Sequence, residues 1–329
     1  MCRFLYVLSF FVLLSPWLLS SALAFDLADI ESSGFSVGIG YRTDQFNWGI
    51  SAVTALEQPD IISELSWDDL EIVQLHLHTW FKSEELPLIN KNAFAIANIA
   101  FGKIVAGQVQ DSDYAADNRS DEWSRSVSDA DDGLTVDLSA ALGPIFECNA
   151  LSGVSITPLV GYAFNVQALT MTNGQQVISK PELRPEGSSY PAAIGPLMGL
   201  DSTYTAYWYG PWLGANIAYH ANDQFKVIFG IEYHWVEYFA QADWNLRSDF
   251  MHPVSFEHES RGTGVVYDLQ GEYVINEKWS WVFNGNIQNW NADSGCDTTY
   301  LADGSVGKAR LNQVEWDSYA LTTGLQYLF

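Results

Sequence analysis

Two short stretches of the sequence carry side chains at a spacing that chemistry can use. In Asp111-Ser112-Asp113 a spacing of two puts both carboxylates on one face of an extended chain, where each can raise the pKa of the other. Such a pair can share a proton or position a water. Asp243-Trp244-Asn245 presents a second pair of polar side chains in the same way. Asn245 can hydrogen-bond a water but cannot take its proton, so this second pair holds no general base. The nearest imidazole, His252, follows in Asp249-Phe250-Met251-His252. An extended segment turns it to the face opposite Asp249, and only a bent loop brings it back. His76-Leu77-His78 places two imidazoles on one face, the lumen side if Leu75 and Leu77 face lipid. A metal would need further ligands that the spacing does not supply, so hydrogen-bonded histidines in a polar interior are expected there. Asp129-Ala130-Asp131-Asp132-Gly133 falls short of a calcium loop, because the glycine comes one residue early and no Glu closes it. Neither a phosphate-binding glycine loop nor a Gly-x-Ser-x-Gly elbow occurs. No metal and no cofactor is therefore expected.

The elements that must position these residues are long, two-sided strands. Phe35, Val37, Ile39 and Tyr41 alternate with Ser36, Gly38, Gly40 and Arg42. Similar runs lie at Leu70–Phe81, Ala93–Val109, Leu134–Phe146, Ser155–Met171, Thr203–His220, Gln224–Asp243, Gly262–Val274, Lys278–Gln288 and Gln313–Phe329, ten in all. Soluble sandwiches alternate over about five or six residues. Runs twice that long suit a transmembrane barrel with lipid outside. The connections alternate too. Asp111–Asp132, Asn173–Ser202, Trp244–Arg261 and Asn289–Asn312 read as long loops, and Glu147–Gly153, His220–Asp223 and Ile275–Glu277 as short turns. Short periplasmic turns and long outer loops produce this pattern, and an even strand number puts both ends of the barrel in the periplasm. Trp208, Trp212, Trp235, Trp244, Trp279, Trp281, Trp290 and Trp316 fall near strand ends, which predicts interfacial girdles.

The first 24 residues read as an address. Arg3 precedes an apolar run from Phe4 to Leu19, and Ser20-Ser21-Ala22-Leu23-Ala24 ends it with the pattern signal peptidase cuts. The expected organisation is a cleaved signal peptide over 1–24 and a single all-β antiparallel barrel domain over 25–329. Acids outnumber bases 40 to 15, for a net charge of −25, which excludes a general nucleic-acid binder. With 48% hydrophobic residues the chain is not disordered. Phe329 closes the last alternating strand and resembles the assembly signal of bacterial outer-membrane barrels, which implies the barrel-assembly machinery as a partner. Outer-membrane lipid and lipopolysaccharide are the other expected partners, and the Gram-negative cell outer membrane is the expected location.

With strands and motifs placed, the chain resembles the omptins, ten-stranded outer-membrane proteases. The resemblance covers essentially the whole mature chain in strand number, loop order and the position of both motifs at strand tips. Ile62-Ser63-Glu64-Leu65-Ser66-Trp67 and Trp235-Val236-Glu237 also look omptin-like. It implies that Asp111 and Asp113 match the aspartate pair on one rim, that Asp243 matches the Asp of the facing Asp-x-His, and that a nucleophilic water is held between them. Asn245 stands where omptins have His, so the site reads as degenerate. In size the chain also resembles the porin-like outer-membrane proteins of environmental chlamydiae.

The expected function is an omptin-like barrel without proteolysis, acting as a narrow channel or surface structural protein. An omptin-type endopeptidase and a loop-based adhesin are the alternatives. Ten strands leave a narrow or filled lumen, since open aqueous pores take about sixteen, though the length after residue 24 would also accommodate about sixteen short strands. The carboxylate-rich segment Asp111–Asp132 predicts a negative outer mouth, and cation preference in any current. Cys148 and Cys296 fall at opposite ends of this topology, too far apart to be joined.

Overall fold

The computed structural model describes residues 30–51, 59–83, 92–186, 188 and 191–329. The signal-peptide reading over 1–24 lies outside them. In chain order the strands are β1 Ile30–Ser51, β2 Ser63–Ser83, β3 Ala93–Ala116, β4 Ser120–Asp129, β5 Gly133–Pro144, β6 Phe146–Glu147, β7 Val154–Ser179, β8 Gly195–Pro196, β9 Asp201–His220, β10 Phe225–Asp243, β11 Phe256–Val274, β12 Trp279–Ala292, β13 Gly295–Tyr300 and β14 Val306–Leu328. All pairings are antiparallel, and β1 closes on β14 from Gly34↔Leu328 to Ser51↔Arg310. β4 and β5 run in line between β3 and β7, as β12 and β13 do between β11 and β14. The wall is therefore a closed ring of ten antiparallel strands, a β-barrel. Backbone bonds between Ser33 and Phe329 tie the two ends of the ring at its short-turn end.

Alternation along each strand divides the molecule into faces and levels. Outward, Val37, Ile39, Tyr41, Val73, Leu75, Ile231, Tyr233, Trp235, Leu269, Phe283, Leu321 and Leu325 are exposed, forming the lipid-facing band. Above Tyr41 the outward residues of β1 become Thr43, Gln45 and Asn47. At the same level Glu71, Glu237, Arg261, Asn289 and Asp317 replace the apolar residues on neighbouring strands. From Tyr41 to Ser51 the strand climbs about 33 Å along its own direction. The outer third of the barrel thus stands clear of the membrane.

Two readings of the sequence are corrected here. Asp111–Asp132 is not a loop: β3 runs on to Ala116, turns through Asp117–Arg119 and returns as β4. Asn289–Asn312 is likewise mostly β12, β13 and the start of β14. Strands above the membrane need no apolar outward face, so their alternation fades while their pairing continues. The girdle assignment fails for five of its eight members. Trp208, Trp212, Trp290 and Trp316 point into the lumen and are at most 3% exposed. Trp235, Trp279 and Trp281 do face outward, and Trp244 packs against the core. Gly161 makes room for Trp212, since a Cβ there would meet the indole at 2.3 Å.

The core fills the outer half of the lumen. Phe46, Trp48, Trp67, Tyr204, Trp208, Tyr238, Trp290 and Trp316 join Leu65, Ile72, Ile104 and Leu311 in one buried cluster. Trp290 stacks on Trp316 at 5.3 Å, and Trp208 lies 6.1 Å from each of them. Beneath this plug Arg42 is fully buried, bonded through Nε and Nη2 to Asp44 and through Nη1 to Asp137.

Candidate functional site at the outer mouth

Asp111 and Asp113 project inward from β3. Their register partners on β2 are Leu65 and Ser63, on the same face as Trp67, and Leu65 is 1% exposed within the plug. Both carboxyls therefore line the lumen mouth, above the lipid band. Burial pushes the Asp113 carboxyl up to about 6, against hydrogen bonds from Ser63 and Ser124 and the charge of Arg247, which pull it down. Asp111 is raised further above the usual carboxylate range, by burial and then by the charge of Asp113. Arg247 belongs to the β10–β11 connection, four strands around the ring, and its charge acts on the pair from there. Its guanidinium forks onto Asp249 at 2.9 and 2.8 Å and lies 3.9 Å from the centre of the Phe250 ring.

The second motif is differently placed. Ala240 and Ala242 are the inward residues at the end of β10, so alternation turns Asp243 outward. There it meets His252, whose Nδ1 lies 2.5 Å from Asp243 Oδ1, both side chains partly exposed. The connection does bend, and the bend creates a carboxylate–imidazole pair nine residues apart. Asn245 is engaged elsewhere. Its Oδ1 accepts from the Asp201 amide and the Ser202 hydroxyl at 3.0 and 3.1 Å, and its Nδ2 donates to the Gly199 carbonyl at 2.7 Å. The motif thus splits between an outward acid–imidazole pair and a clamp on the segment before β9.

Behind the mouth lies a network that spacing did not reveal. Tyr204 and Tyr238 share a 2.5 Å hydroxyl contact, Tyr204 reaches His258 Nδ1 at 2.9 Å, and Asp297 lies 3.2 Å from His258 Nε2. These residues come from β9, β10, β11 and β13, so no local pattern could join them. Arg42-Thr43-Asp44 carries a charge pair at spacing two that went unread in the sequence, and its third member, Asp137, is contributed by β5. His76 and His78 line the lumen and Leu75 faces out, as read from the sequence, with His78 Nδ1 2.6 Å from Asn98 Oδ1. Asp129–Gly133 forms the step between β4 and β5. Among the described residues no three side chains are grouped to hold a metal ion.

A family model, Pom: Protochlamydia outer membrane protein, matches residues 36–329. The chain belongs to this family. That membership places this Pom-family barrel in the outer membrane. No curated protein matches it. Among solved structures it is similar to the outer membrane protease OmpT of Escherichia coli, at 14% identity and a TM-score of 0.68, covering 91% of this chain and 97% of that one. At that identity the likeness speaks for the fold alone, the omptin-like barrel. OprG of Pseudomonas aeruginosa aligns at 12% identity and a TM-score of 0.30, over 91% and 95% of the two chains. Chemically, the mouth of the Pom-family barrel offers an acid pair under the charge of an arginine, while the imidazole is bonded to Asp243, which alternation turns to the other side of the wall.

Proposed function

We propose that this outer-membrane barrel is a narrow, plug-restricted surface protein without peptidase activity. The observation that carries the reading is the aromatic cluster across the outer lumen, in which Trp67, Trp208 and Trp316 are 0% exposed. Interiors packed in this way leave no water-filled path of solute size. The rim favours the same reading. The charge acting on Asp111 and Asp113 is that of Arg247, His252 is bonded to Asp243, and Asn245 is held by Gly199, Asp201 and Ser202. A water at the acid pair then has no base–imidazole wall opposite it. The projecting strands and acidic hairpins form a stiff outer platform on the cell surface. Planar-bilayer recording of the refolded protein tests the proposal. The expected unitary conductance is far below that of barrels of about sixteen strands, with cations favoured by the acidic mouth. Steps of open-porin size would overturn it.

A further inference from the structure

Beneath the plug the lumen holds a cavity of about 430 Å³, within the range of small-molecule sites. Its lining runs from Ser32, Glu147 and His220 at the short-turn end up to Arg42 and Trp290, so it opens toward the periplasm. Two buried atoms at its inner end have no hydrogen-bond partner among the described residues. His234 is 2% exposed and its Nε2 lies 2.9 Å from Glu232 Oε2. With that nitrogen donating to the carboxylate, Nδ1 carries a lone pair, and Nδ1 is buried without a hydrogen bond. Asp137 spends Oδ2 on Arg42, and its Oδ1 is likewise buried without one. With the His234 ring neutral and Nε2 donating, both vacant atoms are acceptors. A group that satisfies them must donate.

Charge narrows the choice. At the inner end Arg42 is matched by Asp44 and Asp137 together. Glu232 and Asp268 add two more carboxylates, whose hydrogen-bond partners are His234 and the amides of Asn284 and Asn286. Lys82 and Lys226 stand lower in the cavity, the latter 3.6 Å from Glu272. The inner end is therefore short of positive charge and rich in acceptors. The Trp290 indole, 4.7 Å from the His234 ring, adds an aromatic surface of the kind that attracts ammonium groups.

We infer that this cavity binds small aliphatic amine cations, of the diamine class, entering from the periplasm. Its ammonium groups donate to the vacant acceptors, His234 Nδ1 and Asp137 Oδ1, with Glu232 and Asp268 supplying the balancing charge.

The test is calorimetric titration of the refolded full chain with 1,4-diaminobutane, butane-1,4-diol and succinate. The diamine should bind saturably and the uncharged diol roughly tenfold or more weakly, as loss of charge-assisted hydrogen bonds requires. Succinate should give no saturable heat. Glu232→Gln and Asp268→Asn should each weaken the diamine by about five- to tenfold, with the heat-dependent gel shift of the folded barrel unchanged. Asp113→Asn, at the distant acidic mouth, should leave binding as it is. Equal affinity for diol and diamine would overturn the inference, as would no saturable binding of diamine up to about 1 mM. Binding that ignores both lumen variants but falls with Asp113→Asn would move the amine to the outer mouth and also overturn it.

Discussion

His252 Nδ1 sits 2.5 Å from Asp243 Oδ1, while Asn245, two residues beyond that aspartate, is bonded into the segment before β9. The acid and the imidazole have found each other on the outward side of the wall, away from Asp111 and Asp113. The refolded protein is therefore expected to leave Arg- and Lys-containing peptides intact, with or without lipopolysaccharide. Because the pair is partly exposed, His252→Ala should cost no more than about 1 kcal/mol in unfolding experiments. Robust cleavage that disappears in both Asp111→Ala and His252→Ala would show that the two walls do cooperate.

The acid pair predicts a pH-dependent stability difference. Asp113 is raised to about 6 in the folded protein, against about 3.9 in an unfolded chain. A carboxyl raised on folding favours the fold only while protonated. That contribution is complete below about pH 4 and is lost as pH climbs through about 6. Asp113→Asn, which holds the group neutral, should be close to neutral at pH 4 and stabilising on the order of 1–2 kcal/mol at about pH 8. Thermal unfolding of both proteins across that range checks it. A difference that does not change with pH would count against the buried, inward placement of Asp113.

The plug predicts coupled losses of stability and of closure. Trp208→Ala and Trp316→Ala each remove a fully buried indole and should cost about 3–5 kcal/mol. The two rings touch at 6.1 Å, so the double variant should fall short of the sum. Bilayer conductance should rise in the double variant relative to wild type. An unchanged current would mean that the plug does not limit the path.

Arg42 is the centre of a buried ion cluster. Replacing it by Met leaves Asp44 and Asp137 facing each other without a counter-charge, and the expected loss is about 3–5 kcal/mol. A triple replacement, with Leu at both aspartates, should recover most of that loss, because desolvating the ions is then avoided. Denaturant unfolding of the single and triple variants distinguishes this from simple loss of packing, which the triple variant would not repair.

Cys148 lies in the connection between β6 and β7 and Cys296 in β13, at opposite ends of the barrel, each a partly exposed thiol. A membrane-impermeant thiol reagent applied to intact cells should label Cys296 and spare Cys148 until the outer membrane is opened. Labelling of Cys148 alone would invert the barrel.

The amino-acid sequence by itself was enough for the class of fold, because a membrane wall imposes a period of two on every strand that crosses lipid. Phe35 to Tyr41 and Tyr319 to Phe329 carry that period, and the ten such runs read from the sequence match the ten strands of the ring. The inward placement of His76 and His78 follows from the same period. Above the lipid that constraint lapses. Asp111–Asp132 therefore read as a loop and folded as a hairpin. The tryptophans show the second limit. An indole near a strand end suits an interface or a lumen equally, and only closure of the ring put Trp208, Trp290 and Trp316 against one another. The site shows the third. Spacing placed Asp243 and Asn245 on one face, but the strand ends at Asp243 and the chain then turns. Which imidazole meets which carboxylate was decided by that turn, and which atoms in the lumen lack partners was decided by strands far apart in sequence. Both depend on positions in space that no local period encodes.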